Sequence, residues 1–389
     1  MFSVLGAISK PISRIAAVIL TTLLIACGPV SVNGPSINTN QPVPVALLVP
    51  GGSGESANDI LAGSIENAAR LAISDLEGVE IDLRVYNTAG DATVAANMAT
   101  QAVNEGAKII IGPVYAESAN AAGRAVASRG INVLSFSNNT AIAGGNVFVL
   151  GQTFQNTANR LVQYSVSQGK SNIMILNGDD GGEQAGRDAI NRAISNYGAT
   201  LAGVTSFELS QDGIIKAIPK IKADAASNGA QTIFLTSGTS GALPFLGQLL
   251  PENGITPDLY QFAGLQRWDI PASALTLPGL QGGWFAKPDP ILEANFQSRF
   301  FAAYGTSPHL LAGLSYDSIA AIGALVRNGQ SDALSASALT QPSGFAGVSG
   351  VFRLLPDGTN ERGLAVVQIQ ENQVIVIDSA PRSFGAAGF

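Results

Sequence analysis

VPVALLVPGGSG, residues 43–54, is the stretch that decides the fold. Its first seven residues are an apolar, branch-rich run, too short for a core helix. Pro50 and glycines 51, 52 and 54 then close it, as expected of a strand buried on both faces that ends in a tight turn. Immediately beyond, Leu61, Ile65, Ala68, Ala72 and Leu76 recur three or four residues apart, the spacing of a helix with one buried stripe. Strand, glycine turn, amphipathic helix is the unit of an α/β sheet.

The unit repeats along the chain. Strands are expected at 81–86, 108–111 and 132–136, with helices at 93–104, closed by Gly106, and from Ser118. After Gly151 the same grammar restarts, with strands at 173–177, 203–207, 232–236 and 259–263 and helices at 183–197, 214–226 and 242–250. The expectation is an α/β chain of two doubly wound lobes. Ligands of such sheets sit beyond the carboxyl ends of the strands. Those ends are the loops 51–54, 115–118, 137–140, 179–182, 237–241 and 265–269, from which the candidate cleft residues come: Gly52, Ser53, Glu117, Ser118, Ser137, Asn138, Asn139, Thr140, Asp179, Ser237, Thr239, Gln266, Arg267 and Trp268. Tyr316, opening a later helix with Asp317, completes the set; Asp317 reads equally as a cap, a hinge bond or a ligand contact.

Upstream, Lys10 and Arg14 precede an apolar run from Ile15 to Ile25, about half the ~20 residues a membrane span needs. A small residue, Ala26, then stands before Cys27, the only cysteine of 389 residues. This is the layout of a cleavable export signal, residues 1–26. The tetrapeptide Leu24-Ile25-Ala26-Cys27 resembles the bacterial lipobox, which implies that Cys27 is acylated and becomes the first residue of the mature chain. Gly28 after it, in place of aspartate, favours the outer membrane by the enteric sorting rule. Residues 27–42 carry no charge and no aromatic side chain and read as a lipidated flexible tether.

Composition fits a globular body on that anchor: 46% apolar residues, 13% charged residues and 44 glycines. The formal net charge is −7, and loss of residues 1–26 removes Lys10, Arg14 and no acid, leaving −9. Nucleic acid is not an expected partner. Acylation of Cys27 leaves no disulfide within the chain, and soft metal ligands are lacking, so neither metal nor other cofactor is expected.

Over everything after residue 43 the chain resembles the type I periplasmic binding-protein superfamily, the group of the leucine/isoleucine/valine-binding proteins. The resemblance is carried by EIDLRVYNTAGD (80–91), QAVNEGAKIIIGPVYAES (101–118), INVLSFSNNT (131–140) and FAGVSGVFRLLPDGTNERGLAVVQI (345–369). It implies three crossovers between the lobes, with 43–150 plus 283–335 in lobe 1, 151–282 plus 336–380 in lobe 2, and a tail at 381–389. Within the superfamily LNGDDGGEQAGRDA (176–189), GLQRWDI (264–270), GLQGGWFAKPD (279–289) and FAAYGTSPHLLAGLSYDSIAAI (301–322) look most like the lipoproteins that activate penicillin-binding proteins. That resemblance implies a class A penicillin-binding protein as partner and a role in peptidoglycan synthesis. The well-studied activators carry a helical-repeat domain before this module, where this sequence has the tether.

The alternative is a substrate-binding lipoprotein of an ABC transporter. In the amino-acid binders a hydroxyl residue follows the GP loop, where this chain has Ala116; a second hydroxyl after the fourth strand falls on Asn139, beside Thr140; and the ammonium-binding glutamate falls on Gln266. With the counter-charge missing, free amino acids are expected to bind poorly unless Asp269 or Glu117 substitutes.

Catalysis finds little in the residues. His309, the one histidine, sits in a Ser-Pro-His turn and reads as a surface cap. Ser167-Gln168-Gly169-Lys170 matches S-x-x-K without its companion motifs and reads as a helix end. Residues 51–54 could cradle an anion but lack a P-loop's lysine, and a tight turn explains them. The oxygens of 177–183 lack calcium-loop spacing, and a cap from Asp179 or Asp180 explains them. Trp268 is expected either at the cleft rim or plugging the lobe interface; Trp284 is expected in the core.

Overall fold

The computed structural model describes residues 34–385. The signal at 1–26, Cys27 and the first part of the tether lie outside the described residues. Among those described, no helix is long and apolar enough to cross a membrane.

The first lobe is built on β1 (Val43–Val49), β2 (Ile81–Asn87), β3 (Ile109–Ile111), β4 (Val133–Ser135) and β5 (Val147–Val149), all parallel, in the order β2-β1-β3-β4-β5. α1 (Ser56–Ser74), α2 (Ala92–Asn104) and α3 (Ala116–Val126) connect them. β1 shows why this sequence makes this sheet. Val43, Val45, Leu47 and Val49 enter one core cluster while Ala46 and Leu48 enter another on the opposite face. A period of two with both phases apolar is what two covered faces require.

The second lobe follows the same plan. α4 (Phe154–Ser167) leads to β6 (Asn172–Gly178), α5 (Gly181–Asn196), β7 (Thr200–Phe207), α6 (Gln211–Ser227), β8 (Thr232–Leu235), α7 (Leu243–Glu252), β9 (Gln261–Gly264) and β10 (Trp284–Lys287). Met174 and Leu176 face one cluster, Ile173 and Ile175 the other. The chain then returns to lobe 1 with α8 (Pro290–Tyr304), α9 (Ala312–Arg327) and α10 (Ala336–Leu339), followed by an antiparallel sheet of β11 (Phe345–Gly347), β12 (Gly350–Leu354) and β13 (Asn360–Arg362). It ends in lobe 2 with β14 (Ala365–Gln370) and β15 (Gln373–Asp378), each antiparallel to its neighbour, giving the order β15-β14-β10-β9-β8-β6-β7.

Four expected boundaries move. β10 pairs with β9 and β14, so 283–287 belongs to lobe 2 rather than lobe 1; a four-residue buried strand has too little periodicity to announce its sheet. Segment 336–362 stays with lobe 1 instead of lobe 2, because Leu339, Phe345, Phe352 and Leu354 share a core cluster with β1. Of the expected tether, 34–42 docks on the body: Ile37 is buried in that cluster and its N–H donates to Ser331 O at 2.8 Å. One apolar side chain in a polar run suffices to pin it. The tail also packs back, Phe384 lying under the Arg353 guanidinium at 4.7 Å.

The crossovers are bolted together. Asn360 donates to Val149 O and Gly151 O at 2.7 and 2.9 Å, and Asn156 donates to Asn360 O at 2.8 Å. Arg362 donates through Nε to Leu150 O at 2.8 Å and pairs through Nη1 with Asp317 at 3.3 Å. Asp317 also accepts the Val348 N–H at 2.8 Å. Asp317 is thus held by Arg362 and the Val348 N–H and does not itself line the cavity between the lobes.

Candidate functional site: the inter-lobe cleft

A cavity of about 600 Å³ opens where the lobes face each other. Lobe 1 supplies the loop after β3 (Val114, Tyr115, Ala116), the loop after β4 (Phe136, Ser137, Asn138, Asn139), the start of α8 (Glu293, Phe296, Gln297), the 308–311 turn and residues 348–349. Lobe 2 and the crossovers supply Gly151, Gln152, Arg267, Ile270, Pro288, Arg362 and Leu364. Its position follows from the fold: β3 and β4 end at the cleft, next to the switch point where β1 and β3 leave in opposite senses.

Of the candidates read from the sequence, Ser137, Asn138, Asn139 and Arg267 line this cavity. Ser137 is buried and its hydroxyl accepts the Asn139 N–H at 3.1 Å. The others do not line it, each for a local reason. Gly52 N–H is taken by Asp59 at 3.0 Å and Ser53 by the Glu55 N–H and the Asn58 amide, so the β1 turn is bonded into the start of its own helix. Glu117 is exposed on α3, Ser118 is buried against Gly90 O, and Thr140 is exposed in a short 3-10 turn. Asp179 is exposed, while Asp180 caps α5 by accepting the Glu183 N–H at 2.7 Å. Ser237 is sealed in the core, donating to Glu183 at 2.9 Å, and Thr239 donates to Ile270 O. Tyr316 joins Asp75 and Arg299 on the outside of lobe 1.

Two corrections concern the loop after β9. Gln266 stays exposed and donates to Thr236 O at 3.0 Å instead of lining the cavity. Trp268 is wholly buried in the lobe 2 core beside Phe285 and Leu280, at neither rim nor interface. A Cβ on Gly264 would stand 2.2 Å from its indole, so the strand-end glycine makes room for the ring. Trp284 is in the core as expected. Arg267, between the two, is the side chain this loop delivers to the cleft.

Arg267 holds Asp269 with Nε and Nη2 at 2.9 and 2.7 Å, and reaches across to Glu293 of α8 with Nη1 at 3.0 Å. Lys287 adds contacts to Asp269 at 3.4 Å and Glu293 at 3.2 Å. Burial opposes charge on Arg267, but the bonds to Asp269 and then the charge of Glu293 outweigh it and hold the guanidinium above its ordinary pKa. Burial likewise acts to raise Asp269, yet its bonds to Arg267 and the charge of Lys287 hold the carboxyl below its ordinary value. At the far wall, burial pushes Asp317 up and Arg362 down, against their mutual attraction.

His309 combines two roles. Its Nδ1 accepts the Leu311 N–H at 3.2 Å, the cap expected of it, and the ring also lines the cleft mouth. Burial lowers its pKa below the ordinary imidazole value. Sequence reasoning did not find Phe296, Gln297, Leu310, Leu311, Ser349 or Arg362 as lining residues. They come from α8 and the C-terminal segments, whose assignment to a lobe required the sheet topology. The Ser167-x-x-Lys170 match is broken up by the fold: Ser167 bonds Tyr164 O at its helix end and Lys170 bonds Gln261. Among the described residues no group of acids and histidine is arranged to hold a metal.

A family model described as periplasmic binding protein matches residues 42–373. Among curated proteins none matches the sequence. Solved structures share the fold at low identity. A branched-chain amino acid ABC transporter periplasmic ligand-binding protein from Burkholderia xenovorans aligns at 19% identity and TM-score 0.68, covering 88% of this chain and 96% of that one. An ABC transporter substrate-binding protein from Desulfitobacterium hafniense in complex with Leu aligns at 16% identity and TM-score 0.63, covering 87% and 100%. An ABC transporter solute-binding protein from Rhodopseudomonas palustris, in complex with 3,4-dihydroxybenzoic acid, aligns at 16% identity and TM-score 0.58, covering 88% and 97%.

Proposed function

Because the chain belongs to the periplasmic binding protein family, we propose that it is a lipid-anchored solute-binding protein of the cell envelope that captures a small molecule between its lobes and presents it to an ABC transporter. The observation that carries this reading is the cavity itself. About 600 Å³, lined from both lobes and placed at strand carboxyl ends, lies within the range of roughly 300–1,000 Å³ typical of small-molecule sites. The function is binding and conformational: a ligand that touches both lobes favours the closed state by its differential affinity for it. The neighbours in complex with leucine and with a hydroxylated aromatic acid support a cleft ligand of that general size.

Cys27 would tether the body to its membrane, and Ile37 downstream of it docks on the body. The activator reading rests on the sequence stretches quoted above. The structural neighbours are transporter binding proteins, and Trp268, which would have formed part of a protein-contact rim, is buried. Activation of a class A penicillin-binding protein in the peptidoglycan layer therefore ranks second.

The two readings separate in one experiment. Affinity capture from envelope extracts of the source organism should retain a transporter permease, and native mass spectrometry of the gently purified protein should show an added small-molecule mass. Retention of a penicillin-binding protein without a permease, with no bound small molecule, would replace this reading by the activator one.

A further inference from the structure

We propose that the cleft selects a monocarboxylate with an apolar body and no ammonium group, and that Arg267 sets this selectivity. The inference rests on the solute-binding reading and deepens it.

The apolar body follows from the walls. Phe136, Phe296, Leu310, Leu311, Val348 and Leu364 line the cavity, and burying apolar ligand surface against them is the main favourable contribution such a site has to offer. The charge follows from what stands at the wall and what stands behind it. Among the described residues lining the cleft, the charged groups are two guanidiniums, Arg267 and Arg362, and one carboxylate, Glu293; two further carboxylates, Asp269 and Asp317, sit behind the guanidiniums. Glu293 already meets two cations, Arg267 at 3.0 Å and Lys287 at 3.2 Å. An incoming ammonium would have to displace one of them, leaving Arg267 and Lys287 to share Asp269 with one carboxylate contact fewer, which is a cost for partly buried charges.

Arg267 offers the opposite. A guanidinium has five N–H bonds. Three are engaged here, through Nε and Nη2 with Asp269 and Nη1 with Glu293, and two remain for an acceptor. Because Gln266 bonds to Thr236 O and Trp268 fills the core, the loop after β9 presents a cation to the cleft. A carboxylate supplies the matching acceptors; an alcohol or amide would make weaker bonds at the same place.

The test uses three probes that share one body and differ only in charged groups: 3-phenylpropanoate, phenylalanine and 2-phenylethylamine. Titration calorimetry of the mature protein should give 3-phenylpropanoate an affinity at least tenfold above either of the others, equivalent to about 1.4 kcal/mol. In Arg267→Gln the ratio of acid to zwitterion should fall below about threefold, and Arg267→Lys, which keeps the charge but loses the fork, should recover part of it. Because the ratio is taken within one variant, a loss of folded fraction does not imitate the effect. Tighter binding of phenylalanine or phenylethylamine, or an unchanged ratio in Arg267→Gln, overturns the proposal. If none of the three binds, the co-purified small molecule decides. A carboxylate without ammonium upholds the proposal, an ammonium-bearing molecule overturns it while leaving solute binding intact, and no small molecule at all removes both.

Discussion

Asp317→Asn is the substitution whose cost the structure fixes best. The Asp317 side chain is fully buried and the Arg362 side chain is 5% exposed, so neither charge has water to fall back on. At their 3.3 Å separation and an effective dielectric constant of about 20, the attraction is about 5 kcal/mol. Removing one partner of a buried pair typically costs ~3–5 kcal/mol. Asparagine can still accept the Val348 N–H, but its amide hydrogens or its uncharged oxygen then face a guanidinium held in place by Leu150 O. With an unfolding entropy of about 2.1 cal/mol/K per residue over roughly 350 residues, 4 kcal/mol corresponds to a fall in Tm of about 5 °C. The assay is urea unfolding followed by far-UV circular dichroism and, in parallel, by tryptophan emission. Both tryptophans, Trp268 and Trp284, lie in lobe 2, so a transition that loses its coincidence between the two signals would place the damage in lobe 1. The paired change Asp317→Leu with Arg362→Met should restore most of the loss, since an apolar pair leaves no orphaned charge. A cost below about 1 kcal/mol for Asp317→Asn, or a double variant as unstable as the sum of its singles, would refute the reasoning.

Three other outcomes are expected. Asp269→Asn should cost about 2 kcal/mol at neutral pH, because Arg267 loses its fork. The wild-type carboxyl is held below its ordinary value of 3.8, so its contribution is present above that pH and is lost as pH falls through the folded value; the stability gap between wild type and variant should close in acid, as followed by urea midpoints from pH 7 to pH 3. Gly264→Ala should destabilise lobe 2 by about 1–3 kcal/mol and alter the near-UV spectrum, since the added Cβ meets the Trp268 indole at 2.2 Å. Cys27→Ala should abolish palmitate labelling and release a folded body from the membrane fraction; retention on the membrane would remove the anchor from this account.

Much of the fold is legible along the chain because β1, β6 and their helices carry strong local periodicity. Val43–Val49 can be nothing but a doubly covered strand, and Leu61 to Leu76 nothing but a stripe. What is not legible is which lobe a short element joins. Trp284–Lys287 is four buried residues, and its membership is fixed by pairing with β9 and β14, partners about 20 and 80 residues away. The same holds for Phe345 and Phe352, whose burial against β1 is a long-range choice. The cleft shows the same division. Ser137 to Asn139 could be placed from the end of β4, whereas Glu293, Phe296 and Arg362 reach the cavity only through the crossovers. At 266–268 only Arg267 lines the cavity, because a loop beyond a strand end loses the period of two and the glycine at 264 makes room for the tryptophan to go in while the arginine goes out.

Small-angle X-ray scattering with and without a saturating cleft ligand, identified by mass spectrometry or from the probe series, tests the central claim most directly. Closure of two lobes on a small molecule predicts a smaller radius of gyration at unchanged molecular mass, reversed when the ligand is dialysed away. Superimposable scattering curves, recorded where calorimetry shows the site filled, would contradict a binding protein that works by closing its cleft.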